Sequence, residues 1–253
     1  MSGFDRLAKP YRWLEYLSFG RNLERCRFHF LPQLAGTQRA LLLGDGDGRF
    51  AERLLRNMLT HEALAAGAPT PDPMTNRAIQ ETVSTLPSLT QSVGVPRITA
   101  VDGSAAMLSL LRARCAFADS RLQTYVADLT KGLPSALQGS QFDVVSTHFF
   151  LDCLSTEEVN RLLADVRRCM TDGAVWVISE FAVPARGAMR LPAWLVVRGL
   201  YLGFRVLTGL RTRRLPDYRE AMQTQGMVLK QESKMLGGLL TAQLWRCGAA
   251  SNR

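Results

Sequence analysis

The stretch Leu41 to Phe50, LLLGDGDGRF, decides how this chain is read. Three leucines end in glycines at 44, 46 and 48, with Asp45 and Asp47 between them and Arg49 behind. An ordinary turn needs one or two such residues. Three alternate glycines bring a backbone close to something, and two carboxylates among them argue that the something is not an anion. Upstream, Ala40 to Leu43 reads as a short buried strand. Downstream, Phe50, Leu54, Leu55 and Met58 fall on one side of a helix. Strand, glycine turn and helix form the front half of a β-α-β unit.

The alternation continues outward. RITAVD (97–102) is a strand, SAAMLSLLRARCA (104–116) a helix, LQTYVAD (122–128) a strand and FDVVSTHFF (142–150) another. STEEVNRLLADVRRCM (155–170) is a helix opened by a capping box, Ser155 with Glu158, and GAVWVISEF (173–181) is a fifth strand. Strands alternating with helices predict a parallel sheet covered on both faces. The end differs: LPDYREAMQTQG reads as a helix stopped by Gly226, and MVLKQESKML and LLTAQLWRC as two strands of a late hairpin about Gly237-Gly238. Residues 61–96, rich in Pro, Thr, Ser and Gly, read as an insertion or mobile loop. Residues 1–35 read as an N-terminal helical cap, 36–253 as the main domain, and 185–215 as a cap helix.

The 253 residues fit one large domain, and 47% hydrophobic against 21% charged residues is an ordinary globular balance. A net charge of +9 favours an anionic partner such as a membrane surface, with solubility as the plain alternative. Five cysteines, with no C-x-x-C, argue against a disulfide framework or structural zinc and for a reducing compartment. The first twenty residues carry Asp5, Arg6, Lys9, Arg12 and Glu15, so no signal-peptide core is read there, and Arg198 and Arg205 interrupt the most apolar stretch, 191–210. The expectation is a cytoplasmic protein, with peripheral contact at the inner face of a membrane.

The turn itself discriminates among nucleotide folds. The third-glycine position of a dinucleotide fingerprint is Arg49, and no G-K-[ST] follows. Asp102, ending its predicted strand, is placed to accept hydrogen bonds from ribose hydroxyls, and Asp128, ending the next, to meet an exocyclic amine. Together, Gly44-x-Gly46-x-Gly48, the run from Asp102 through Ser104 to Met107-Leu108, Asp128, Phe142-Asp143 and the terminal hairpin resemble the class I S-adenosylmethionine-dependent methyltransferases. The resemblance spans about Arg39 to Cys247. It implies an α/β fold: a doubly wound, mainly parallel, Rossmann-like seven-stranded sheet with a C-terminal antiparallel hairpin and a helical cap. It implies S-adenosyl-L-methionine as cofactor and S-adenosyl-L-homocysteine as product, with no metal. The cofactor then meets Gly44, Asp45, Gly46 and Gly48 with its methionine part and Asp102 with its ribose, while Met107 and Asp128 flank its adenine. Gly103, Leu129 and Thr147 complete its site.

Two departures stand out. The family often carries an acid two residues before the first glycine, where this chain has Leu42; Asp45 or Asp47 is a candidate replacement. Gly44 and Asp102 stand 58 positions apart, against roughly 20 between such a turn and its ribose carboxylate, and the excess is assigned to residues 61–96.

The acceptor is read from the ends. Phe4, Asp5, Ala8, Tyr11, Ser18, Gly20 and Arg27, with Leu215 to Tyr218, resemble the ubiquinone/menaquinone biosynthesis methyltransferases, which act on apolar substrates. Trp194, Tyr201 and Phe204 beside Arg198 and Arg205 suit either an interfacial helix or a packed cap. The expected partner is a small hydrophobic substrate such as a quinol. A base is needed where the acceptor is an un-ionised hydroxyl or carbon acid; His148, Asp152 and Tyr11 are the candidates. The alternatives are a phospholipid N-methyltransferase and a non-catalytic S-adenosylmethionine-fold binding protein. A nucleic-acid substrate is disfavoured because no [ND]-P-P-[YF] run follows the fourth strand.

Overall fold

The computed structural model describes residues 21–67, 95–184, Leu195 and 217–248. The chain enters through α1 (Asn22–Arg27) and a 3-10 turn (Leu31–Leu34). It then alternates through β1 (Arg39–Leu43), α2 (Arg49–Ala65), β2 (Arg97–Asp102), α3 (Ala105–Arg114), β3 (Leu122–Val126) and β4 (Phe142–His148). It closes with α4 (Thr156–Arg168), β5 (Met170–Phe181), α5 (Tyr218–Thr224), β6 (Met227–Met235) and β7 (Leu240–Cys247). The seven strands form one sheet in the order β3-β2-β1-β4-β5-β7-β6. Strands β1 to β5 run parallel, and β7 lies antiparallel to both β5 and β6. The predicted architecture and late hairpin are both present.

β1 shows why the sheet is covered on both sides. Its side chains alternate across the pleat, and both sets are buried. Ala40 and Leu42 join a cluster with Phe50, Leu54, Leu55 and Ile98. Leu41 and Leu43 join the opposite one, with Val145, Leu162, Leu163, Trp176 and Trp245. Polarity is not what distinguishes the faces of such a strand, so its sequence is a continuous apolar run.

Four boundaries move. Helix α2 continues to Ala65, so the break expected at 61 starts later, and residues 68–94 lie outside the described residues. β3 ends at Val126 and β5 begins at Met170. β4 ends at His148 because Phe149 turns to φ 55. The second half of the expected N-terminal cap is integral to the core: Leu23, Cys26, Phe30 and Leu34 are buried in the cluster containing Leu42. Tyr11 lies outside the described residues, as does the cap helix of 185–215 apart from Leu195. All five cysteines are free, and among the described residues no His, Cys, Asp and Glu group could hold a metal. Among the described residues, no helix is long and apolar enough to cross a membrane.

The capping box holds as read from sequence: Glu158 N–H donates to Ser155 Oγ at 3.3 Å, and Ser155 N–H to Glu158 Oε2 at 2.7 Å. Ser155→Ala removes one acceptor from the start of α4, and a loss of about 1 kcal/mol is expected in urea unfolding, with the folded spectrum unchanged.

Candidate functional site

The order of strands places β1 between β2 and β4. Connections leave β1 in one direction and return to β4 in the other, and the crevice at such a reversal is where open α/β sheets bind ligands. Gly44 to Gly48 fill its mouth.

Gly44, Gly46 and Gly48 all have positive φ, at 66°, 62° and 81°. Two of them are glycine for internal reasons as well. A Cβ on Gly44 would fall 2.3 Å from the Phe150 ring, and one on Gly48 would fall 2.7 Å from the Leu111 backbone. Gly46 is different: its Cβ would meet nothing within 4 Å. The turn is therefore packed at both ends and open in the middle. Gly46 N–H donates to Asp102 Oδ2 at 3.3 Å, and Ser104 N–H to Asp102 Oδ1 at 2.8 Å. Asp102, at the end of β2, thus stands directly behind the opening, and Gly103 follows with only Ala127 O, at 3.8 Å, near its missing Cβ. Met107 is 8% exposed at the first turn of α3, which Ser104 caps.

The two turn acids have different fates. Asp47 is held between two guanidinium groups, Arg49 and Arg114, each at 3.0 Å. Asp45 Oδ2 accepts from Ala51 N–H at 2.9 Å at the start of α2, while its Oδ1 is closed off from solvent with no hydrogen-bond partner. Burial pushes the Asp45 carboxyl up to about 7, with the Arg27 charge opposing.

Three of the expected cofactor residues have contacts within the protein. Thr147 is fully buried and its hydroxyl accepts from the Trp176 indole N–H at 3.1 Å, so its side chain faces the core. Leu129 is buried in that same cluster. Asp128 turns its Oδ1 onto Thr130, accepting from N–H at 3.1 Å and from the hydroxyl at 2.6 Å. The hydroxyl bond holds its pKa below the usual carboxylate value. A short polar side chain at a strand end caps its own turn before it reaches for anything distant.

The end of β4 supplies the catalytic candidates, and the sheet separates them. His148 is 5% exposed, inside the strand, with its ring centroid 4.2 Å from that of Phe50. Ser179 Oγ donates to Cys26 O at 3.1 Å, so its single proton is committed. The 2.9 Å contact between His148 Nδ1 and Ser179 Oγ then requires the proton on Nδ1, leaving Nε2 a bare acceptor. Burial and the Arg27 charge lower the His148 pKa well below its ordinary value. Such a ring stays neutral and is a poor proton acceptor.

Asp152 belongs to the opposite face, where sequence reasoning missed its companion, Glu180. Adjacent residues of a strand point to opposite faces, so Glu180 points away from Ser179 and His148. Glu180 is 1% exposed; its Oε1 accepts from Phe150 N–H at 3.1 Å and Leu151 N–H at 2.9 Å. Burial, then the Asp152 charge, raises Glu180 well above the ordinary value, and burial brings Asp152 up to about 6. The signal was an acid ending the apolar run VISEF, since a buried carboxyl at a strand's carboxyl end needs a reason. Arg27 is the other omission as a charge in the site: it is 8% exposed, and its guanidinium lies 5.8 Å from the Phe149 ring centroid.

Buried acids leave a mark on stability. Asp45 and Asp152 are raised from 3.8 to about 7 and about 6, so the folded state binds protons that the unfolded chain has lost. Their contribution is fully present below about pH 4 and is lost as pH rises to 7. Asp45→Asn is expected to flatten that decline in urea titrations between pH 5 and 8.

Comparisons with known proteins bear on the fold and on part of the chain. The family model described as "Methyltransferase domain" matches residues 82–173. That segment includes Asp102 and the β4 end but starts after the glycine turn, which rests on the structure alone. Among curated proteins none matches in sequence. Three solved structures are similar in fold. An O-methyltransferase family protein from Burkholderia thailandensis has a TM-score of 0.61 at 12% identity, over 99% of this chain and 64% of that one. The pyocyanin biosynthetic protein PhzM has 0.54 at 14% identity, over 90% and 56%. Human N-acetylserotonin methyltransferase, in complex with SAM, has 0.51 at 15% identity, over 91% and 53%. This chain thus spans between about half and two thirds of the length of each. The open middle of the turn, with Asp102 behind it, fits the cofactor that a methyltransferase domain implies, S-adenosylmethionine. The fold is that of the class I methyltransferases, Rossmann-like with a terminal antiparallel pair, and residues 82–173 match the methyltransferase-domain model.

Proposed function

We propose that the protein is an S-adenosylmethionine-dependent methyltransferase acting on a small apolar acceptor that carries an ionisable hydroxyl, such as a quinol. The observation that carries the reading is the open centre of the glycine turn at Gly46, backed by the Asp102 carboxylate at the β1/β4 crevice. Gly44, Gly46 and Gly48 hold the backbone near the cofactor's methionine part, and Asp102 accepts from its ribose. When bound, that cofactor supplies an electrophilic methyl group; the chain supplies orientation, dryness and a place for the acceptor's proton.

Phe149 and Phe181, with centroids 5.1 Å apart, pack on the His148 face of the sheet, while the Phe150 ring lies against Gly44 on the face of Asp152 and Glu180. An aromatic ring beside the glycine turn favours a planar apolar acceptor over a charged one. Asp152 and Glu180 share the proton balance on that same face. Two buried carboxyls in mutual repulsion do not both ionise near neutrality, so the pair holds one proton and one charge. The charged member accepts a proton from a hydroxyl as that oxygen is methylated. His148, neutral and tied to Ser179, orients the β4 end instead of taking that proton. The basic residues between Arg198 and Arg214 would carry the enzyme to an anionic membrane surface where apolar acceptors reside. A phospholipid amine is the second acceptor class; its ammonium too must lose a proton before the nitrogen can be methylated.

Calorimetric titration with S-adenosylhomocysteine tests the first step. Wild type is expected to bind in the micromolar range. Gly46→Ala places a methyl in the open space and is expected to lose at least about tenfold in affinity, while its positive φ lowers stability by only about 1–2 kcal/mol. Binding that Gly46→Ala and Asp102→Ala both retain would place the cofactor elsewhere.

Methyl transfer to a panel of quinols, phenols and amines, followed with a labelled cofactor, tests the second. Turnover of a hydroxyl acceptor is expected to fall about tenfold per pH unit below about 6, where Asp152 gains its proton, and Asp152→Asn to remove it. Turnover confined to amines, with no loss in Asp152→Asn, would overturn the assignment.

A further inference from the structure

Hydrogen bonds decide where the single proton of the carboxyl pair sits. Glu180 Oε1 accepts from Phe150 N–H at 3.1 Å and from Leu151 N–H at 2.9 Å. Both donors are backbone groups and cannot turn away. In a protonated carboxyl the oxygen that takes two donors is the carbonyl oxygen, so a proton on Glu180 belongs on Oε2. That oxygen is closed off from solvent and has no hydrogen-bond partner. A buried O–H without an acceptor is costly unless something arrives to accept it.

Asp152 is the charged member. The Cys153 thiol, next in the chain, donates to Asp152 Oδ1 at 3.5 Å. Burial, then the Asp152 and Glu180 charges, pushes that thiol well above its ordinary value, so it keeps its proton and the donor is always present. Burial brings Asp152 only to about 6, whereas burial and then the Asp152 charge take Glu180 well above the usual carboxylate range. The Glu180 carboxyl also meets the N–H groups that open the 3-10 turn Leu151–Cys153, the turn that carries Asp152. Near neutral pH the site therefore offers one acceptor, Asp152, and one donor, Glu180 Oε2–H, gathered at one turn.

A lone hydroxyl uses half of that pair. Its O–H donates to Asp152 and leaves Glu180 unsatisfied. An acceptor with a second oxygen on the neighbouring ring carbon uses both halves, because adjacent positions set two oxygens side by side. Oxygens at opposite ends of a ring do not match two carboxyls at a single turn.

We propose that Glu180 reads a second oxygen of the acceptor, donating from Oε2 to a hydroxyl or ether beside the hydroxyl that Asp152 deprotonates, so that the acceptor class is an ortho-dioxygenated ring, a catechol or its monoether. This rests on the methyltransferase reading above and on Asp152 as the proton acceptor. In the transfer the hydroxyl oxygen bonds to the methyl carbon as the carbon–sulfur bond breaks, that electron pair stays on sulfur, and the hydroxyl proton passes to Asp152. The Glu180 proton stays on Oε2 throughout; it orients the ring and is not consumed. A buried group that only the right substrate can pair discriminates strongly against analogues lacking the partner.

The test is methyl transfer by the full chain from labelled S-adenosylmethionine to catechol, guaiacol, hydroquinone and phenol. Guaiacol keeps the second oxygen as an acceptor without its proton. Wild type is expected to show kcat/KM at least about tenfold higher for catechol and guaiacol than for hydroquinone and phenol. Glu180→Gln keeps an oxygen for the two backbone N–H groups and puts an N–H donor in place of Oε2–H, and it is expected to hold that preference. Glu180→Met removes the donor and is expected to bring the ratio within about twofold of unity, whatever its absolute rates. The ratio is read within each protein, so a partly unfolded variant does not distort it. Equal rates for all four acceptors in wild type, or a preference kept by Glu180→Met, would overturn the assignment and leave the methyltransferase reading standing. Binding of S-adenosylhomocysteine with no transfer to any of the four would sink the hydroxyl-acceptor reading together with it, and no binding at all would sink the cofactor reading first.

Discussion

The structure depends on how closely the chain leaving β1 is gripped. Gly44 has the Phe150 ring where a Cβ would be, and Gly48 has the backbone of Leu111 there. The turn is thus clamped between the β4 end and α3, from opposite sides, with no room to relax. Any side chain at either position would have to displace an aromatic ring or a helix, and the φ values of 66° and 81° add strain to the clash. What the clamp fixes is direction: it aims Asp45 at the start of α2, where Ala51 N–H receives it, and leaves Gly46 facing the crevice.

The same grip explains the local charge. Three carboxylates, at 45, 47 and 102, crowd a turn of a few residues, and each takes a donor from the turn or from the helices beside it. Asp47 with Arg49 and Arg114 is a partly exposed arrangement, and pairs of that kind are worth about 0–1 kcal/mol each. It ties α3 to the turn more than it stabilises the fold. Burial of Asp45 is the larger effect, since it moves that group from 3.8 to about 7.

Local features were legible from sequence and facing was not. The glycine turn, the Ser155–Glu158 capping box and the hairpin about Gly237-Gly238 are each encoded within a few residues, where backbone geometry and short side chains decide. Thr147 was read as a cofactor residue because it lies near the end of β4, yet position along a strand says nothing of face, and its parity with Val145 sends it into the core beside Trp176. Asp128 was read as reaching outward, and Thr130 lies close enough to claim it first. Arg27 and Glu180 were not read from sequence as buried charges for a common reason. Each is brought to the site by packing between distant segments, as when α1 docks on β5 and β7, and no spacing in the sequence encodes that.

Phe149 joins these levels. Held at φ 55, a conformation costing a non-glycine residue about 1–2 kcal/mol, it ends β4 two residues earlier than the apolar pattern suggests. Its own N–H still pairs, donating to Ser179 O at 2.7 Å, so the strand is anchored up to the point of strain. Beyond it the chain swings, and the next two N–H groups, of Phe150 and Leu151, converge on Glu180 Oε1. Hydrogen bonds to a neutral acceptor are worth about 0.5–1.5 kcal/mol each, so the two together offset a strain of this size with Glu180 protonated. The twist also lays the Phe150 ring on Gly44. One strained residue therefore connects the buried carboxyl pair to the clamp on the glycine turn, and the place where acceptor chemistry is proposed is built from the same backbone that holds the cofactor turn in shape.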